Sequence, residues 1–334
     1  MNVSLMVWVV TCVVILGLFV FDFYAHVRVP HEPTFKESAI WSSVYIGLAV
    51  VFGFVVWWQW GGEFAGEYFA GYVTEKALSV DNLFVFTVIM ATFAVPRAFQ
   101  QKLLLIGIVM ALVMRAAFIA VGAAAINTFS WVFYIFGIFL VLTAAKLARE
   151  AGHEKEVEEK RDSRIIAVVR RFVPTTDEYD SDKFVTKLGG KRAVTPMFLA
   201  LVAIGFTDIL FALDSIPAIY GLTEEPYIVF TANAFALMGL RQLYFLIGGL
   251  LDRLVYLSYG LSLILAFIGV KLVLHALHQN TLPFINGGQH VTVPEISTGI
   301  SLSVIGVILF VTTVASLLRT RGRQAPEATM RDPV

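Results

Sequence analysis

Nine ionisable side chains fall inside long apolar stretches of this chain: Glu75, Lys76, Asp81, Arg115, Lys146, Asp208, Asp214, Arg241 and Lys271. A charge at mid-bilayer costs roughly 2.5–3.5 kcal/mol on insertion scales, so each must pair or line a wet cavity. The acids come in two matching segments. EKALSVDNLFVF carries Glu75 and Asp81, and TDILFALDSIPAI carries Asp208 and Asp214, with five residues between the acids each time. Asn82, Ser215 and Asn233 stand near them. Carboxylate, amide and hydroxyl oxygens are hard donors that suit Mn²⁺, Mg²⁺ or Ca²⁺. Zn²⁺ and Cu⁺ would want Cys or His, and no His lies at mid-span; a Na⁺ or proton site is also chemically open. The candidate metal ligands are therefore Glu75, Asp81, Asp208 and Asp214, with Asn82, Ser215 and Asn233 in support. Arg115, Arg241, Lys146 and Lys271 read as charge partners or gating groups. Four acids against four bases describe a site that is near neutral when empty and exchanges its ion, with no permanently bound cofactor.

Such charges need spans to hold them. Of 334 residues, 58% are apolar and only 15% charged, against about 25% charged in soluble domains. Mean hydropathy is +0.77. These values exclude a soluble globule and a disordered chain, and the single Cys12 excludes a disulfide framework. They predict an all-α polytopic membrane protein. Apolar runs of about 20 residues fall at 4–24, 39–60, 67–92, 102–125, 130–148, 196–219, 227–250, 256–276 and 296–318, nine in all. The first has no basic residue before it and reads as a retained helix.

Basic residues orient the spans. Segment 149–195 holds eleven Lys or Arg. With that segment inside, twenty fall on the inner side and none on the outer connections, which predicts N-terminus out and C-terminus in. The organisation is then 1–148 (five spans), 149–195 (charged cytoplasmic loop), 196–318 (four spans) and 319–334 (polar cytoplasmic tail). Within the loop, 149–171 reads as a solvated helix. KFVTKLGGKRAVT reads as a hairpin turning at Gly189-Gly190. Thr195-Pro196 reads as an N-cap followed by an N1 proline.

Spans 3–5 and 6–8 repeat one order: acid, five residues, acid, then Arg, then Lys. Their first helices run in opposite directions, so the two triplets form an inverted repeat, a transporter architecture. The competing reading is two coincidental structural salt bridges. Six helical residues turn about 600°, so two acids on one straight helix point about 120° apart. Either the helices unwind between the acids, with Pro217 marking a break after Asp214, or the two acids have different tasks. Other residues have plainer readings. Lys146 and Lys271 could snorkel, Lys76 is structural, and Asp22 meets inner-side water. His275 and His278 are interfacial, Trp57, Trp58 and Trp60 form an aromatic belt, and spans 1, 2 and 9 are peripheral support.

The two acidic segments, with TANAFALMG and the arginine of ALMGLRQLYFL, resemble the TerC/Alx family of integral membrane proteins, over about residues 35 to 318. The family is associated with tellurite resistance and implicated in Mn²⁺ export. The resemblance implies metal residues at Glu75, Asp81, Asp208 and Asp214, with Mn²⁺ as substrate. A plasma-membrane secondary exporter of Mn²⁺, coupled to protons or Na⁺, is the resulting expectation. Its partners are the bilayer and a divalent cation, with no nucleic acid. No Walker motif supplies an ATPase, and no enzyme activity is expected. One alternative is a membrane interaction protein serving stress resistance or metal supply to secreted proteins, with a protein docked on loop 149–192. A remote one is an intramembrane aspartyl protease, which needs two aspartates sharing a proton. Gly205-Phe206-Thr207-Asp208 matches its GxGD motif only in part.

Overall fold

A computed structural model describes residues 1–27, 31–129, 131–151, 174–176, 178–188, 191–247, 254–278, 291, 293–294 and 296–324. The helices are α1 (Leu5–Asp22), α2 (Phe35–Trp60), α3 (Gly62–Thr92), α4 (Arg97–Thr128), α5 (Val132–Glu150), α6 (Pro196–Tyr220), α7 (Pro226–Leu237), α8 (Leu240–Ile247), α9 (Leu257–His278) and α10 (Thr298–Gln324). Among the described residues, eight segments are long and apolar enough to cross a membrane. The remaining expected span is α3, whose 31 residues reach about 46 Å but carry Glu63, Glu67, Glu75, Lys76 and Asp81. The expected helix over 149–171 lies mostly outside the described residues, as do Gly189-Gly190 and the last ten residues. Helix α10 continues to Gln324, past the expected start of the polar tail.

The hairpin forms as expected. Strands β1 (Val185–Leu188) and β2 (Lys191–Val194) pair antiparallel, Val185 opposite Val194 and Leu188 opposite Lys191. The Lys102 ammonium donates to Asp182 at 2.7 Å and ties the hairpin's approach to α4. It also holds the Asp182 carboxyl below the usual carboxylate range. Thr195 stands at the N-cap of α6 with Pro196 at N1, but its hydroxyl donates to the Lys183 carbonyl at 2.7 Å instead of capping.

Packing follows the inverted repeat. Helix α3 packs on α7 and α4 packs on α6, an exchange of partners, while α5 packs on α9. The α5–α9 contact is reciprocal. A Cβ on Gly137 would lie 2.8 Å from the Gly269 carbonyl oxygen, and one on Gly269 would lie 2.8 Å from that of Gly137. Only glycine permits this approach. Gly137→Leu is expected to destabilise by about 1–3 kcal/mol through overpacking. Gly47→Leu, with nothing within 4 Å, should leave the thermal unfolding midpoint in detergent unchanged.

The helix break falls elsewhere than at Pro217. Helices α3 and α6 are continuous, and Pro217 sits in the last turn of α6, where its missing N–H costs one hydrogen bond at most. The expected span over 227–250 is the discontinuous one. It breaks between α7 and α8 at Met238 and Gly239, with Gly239 at φ +74°. Any side chain at Gly239 would be strained, and its Cβ would meet that of Tyr45 at 2.9 Å.

The first span is peripheral, as expected, with most of its large apolar side chains exposed, but its last residue is not. Asp22 is buried and does not meet inner-side water. It accepts from Tyr45 Oη at 2.8 Å, Arg241 Nη2 at 2.8 Å and Gln242 Nε2 at 2.9 Å. Arg241 Nη1 also donates to Gln101 at 2.8 Å. Higher up, the hydroxyls of Thr11 and Tyr227 are 2.7 Å apart and Trp8 packs edge-on against Tyr227. Helix α1 therefore straps both halves of the broken span, joining α7 near its start and α8 near its start. The opposite faces of α1, α2 and α10 expose large apolar side chains such as Leu5, Trp58 and Phe310. Asp22→Ala leaves a buried guanidinium without its counter-charge and is expected to cost about 3 kcal/mol. Asp22→Ala with Arg241→Met should recover part of that loss in a double-mutant unfolding cycle.

Candidate functional site

The four acids separate into two tiers, because α3 and α6 stay helical between them. Glu75 and Asp208 face the bundle interior and share Arg115. All three side chains are almost completely shielded, at 0%, 1% and 0% exposure for Glu75, Asp208 and Arg115. Arg115 Nη2 donates to Asp208 Oδ1 at 3.0 Å and its Nε to Asp208 Oδ2 at 3.3 Å. Its Nη1 donates to Glu75 Oε1, and to Ser215 Oγ and Asn233 Oδ1 at 3.3 Å each. Asn233 is thus a partner of Arg115 here and does not line the cavity that holds Asp81 and Asp214. The cluster holds two carboxylates and one guanidinium, and Glu75 Oε2 and Asn233 Nδ2 have no hydrogen-bond partner among the described residues.

Asp81 and Asp214 belong to the second tier. They line a cavity of about 400 Å³ between α3, α5 and α6. Asn82, Ser215, Thr143, Lys146 and Glu150 line it with them. Thr143 Oγ1 donates to Asp214 Oδ1 at 3.2 Å. Ser215 joins the tiers, since it lines the cavity and also accepts from Arg115. The cavity wall carries three carboxylates and one ammonium, so its charge when all are ionised is negative. Six waters at about 30 Å³ each need roughly 180 Å³, so a hydrated dication fits. Among the described residues, no group of three or more His, Cys, Asp or Glu could close on a metal ion.

Two of the expected charge partners do not face these acids. Arg241 serves Asp22, as described above. Lys271 donates to Ser301 Oγ of α10 at 3.2 Å. Lys146 does line the cavity with Asp214. His275 pairs with Glu224 at 2.9 Å, packs edge-on against Phe133 and holds the Glu224 carboxyl below its usual range. Thr143 and Glu150 were missed from the sequence. Their spacing with Lys146, three and then four residues, marks a single face of α5 and could have pointed to them.

The family model for the "Integral membrane protein TerC family" matches residues 60–324. The chain belongs to the TerC family. A membrane protein of Mycobacterium tuberculosis H37Rv, Rv2723, is 53% identical over 324 residues, 97% of this chain and 82% of its own. STKORF319, a membrane protein of Myxococcus xanthus, is 38% identical over 314 residues, 94% of this chain and 92% of its own. The Escherichia coli K12 protein Alx, whose name proposes a membrane-bound redox modulator, is 37% identical over 255 residues, 74% of this chain and 78% of its own. No solved structure matches the chain. This TerC protein is therefore a multi-pass integral membrane protein. Both tiers lie inside the family match, whereas α1 and most of α2 precede it.

Proposed function

We propose that this TerC protein is a secondary transporter that exports Mn²⁺, or a similar hard divalent cation, across the plasma membrane. The counter-ion is H⁺ or Na⁺. The N-terminus lies outside and the C-terminus in the cytoplasm. The observation that carries the reading is the cavity between α3, α5 and α6, where Asp81 and Asp214 stand among neutral oxygens of Asn82, Thr143 and Ser215. Hard oxygen donors favour Mn²⁺, Mg²⁺ and Ca²⁺. The inverted repeat and the broken span support a carrier, and the distribution of Lys and Arg supports the orientation. The excess of carboxylates in both tiers argues against an anion substrate.

The name of the Alx relative speaks of redox modulation. With one cysteine in this chain, no dithiol couple forms within it, and we assign any redox effect to the metal it moves. The Asp208–Arg115 ion pair also argues against a proton-sharing aspartate pair at Asp208, which supports a carrier over a protease. Mn²⁺, Mg²⁺, Ca²⁺ and Zn²⁺ uptake into everted membrane vesicles tests the reading. Mn²⁺ should enter in excess of Zn²⁺ and only when the protein is present. Equal entry into vesicles lacking the protein would refute it.

A further inference from the structure

The break between α7 and α8 leaves backbone carbonyls without helical donors at the negative end of a half-helix. The ammonium of Lys76, from α3, fills that position. Its Nζ donates to the Ala236 carbonyl at 2.9 Å and to the Met238 carbonyl at 3.3 Å. Lys76 makes no ion pair among the described residues. It is turned about 100° from Glu75 on the helix, and so takes no part in the Arg115 cluster. A half-buried lysine without a carboxylate is costly in a membrane. The interactions that offset this cost are two carbonyl dipoles and the end of the α7 macrodipole. Unwound carbonyls and half-helix C-termini hold monovalent coupling cations in transporters built from broken spans.

We infer that the α7–α8 break is a monovalent-cation site whose resident occupant is the chain's own Lys76 ammonium. The recognised chemistry is a compact positive charge against carbonyl oxygens: an alkylammonium, or Na⁺ once the side chain is gone. Gly239 supplies the turn that aims the carbonyls, and the Asp22–Arg241 pair fixes the start of α8 below it. If the proposed transport function holds, this position is where the driving ion is exchanged for a tethered one. The site itself stands on the geometry of the break, whatever ion the cavity moves.

Thermal unfolding of the full chain in detergent tests this without any transport readout. Lys76→Ala removes Cγ, Cδ, Cε and Nζ, the atoms of propylammonium. Its midpoint is expected to fall by several degrees in choline chloride. Propylammonium chloride at equal ionic strength and neutral pH should restore at least half of the fall, while neutral propanol should not. Wild type should melt alike in all three. Lys76→Ser, a second cavity-forming variant, is carried in parallel, and folded protein recovered only in propylammonium counts as rescue. Equal restoration by propanol would mean a filled void and would overturn the inference. So would the absence of cation rescue in both variants, folded or not, or a Lys76→Met midpoint equal to wild type.

Discussion

Arg115→Leu is expected to yield almost no monodisperse protein after detergent extraction. The guanidinium is fully buried and bridges Glu75 on α3 to Asp208 on α6. Without it, two shielded carboxylates lose the guanidinium that joins them. Breaking a buried ion pair from one side costs about 3–5 kcal/mol, a large share of a total stability of about 5–15 kcal/mol. Arg115→Lys should be intermediate, because an ammonium lacks the fork that lets Arg115 reach both acids and Ser215 together. The triple change Arg115→Leu, Glu75→Gln, Asp208→Asn should recover much of the fold, since it leaves no unpaired charge. Size-exclusion profiles and unfolding midpoints of the four proteins check this. Wild-type behaviour of Arg115→Leu would show that the cluster does not hold the repeats together.

Asp81→Asn and Asp214→Asn are expected to do the opposite: keep the fold and lose transport. Both side chains are half-buried and line the cavity instead of the shielded Arg115 cluster, and an amide keeps the capacity to accept a hydrogen bond such as that of Thr143 to Asp214. Each substitution keeps shape and one carbonyl oxygen but removes a unit charge. At an effective dielectric of about 20, a dication 4 Å away loses several kcal/mol of attraction. Flux should fall at least tenfold in either variant, with the midpoint shifted by a few degrees at most. Lys146→Gln should leave flux equal to or above wild type, because it removes the cavity's opposing charge.

Much of this architecture was readable in the residues, and the failures have specific causes. Apolar runs gave the spans, and the five-residue spacing of the acids gave the repeat. The spacing also posed the right alternative, since two acids 120° apart on an unbroken helix serve different tiers. Convergence of all four on one ion was the wrong branch: α3 and α6 pack tightly enough to stay helical through Asp81 and Asp214. Pro217 drew attention to the wrong span because a proline is visible in sequence. The positive φ at Gly239 is not, for Met238-Gly239 resembles many ordinary dipeptides of membrane helices. Arg241 seemed the counterpart of Arg115 by order alone. Its partner Asp22 lies 219 positions away, a pairing that only packing of α1 against α8 creates. Lys76 looked structural, and its use became visible only once the carbonyls of Ala236 and Met238 were seen to lack helical donors.

Radioactive manganese flux into proteoliposomes of purified protein tests the central claim most directly, with wild type set against the Asp81→Asn, Asp214→Asn double variant. Saturable uptake by wild type, abolished in a double variant that elutes and melts as a folded protein, is the predicted result. Equal manganese uptake by the two proteins would contradict the claim that these carboxylates carry the cation.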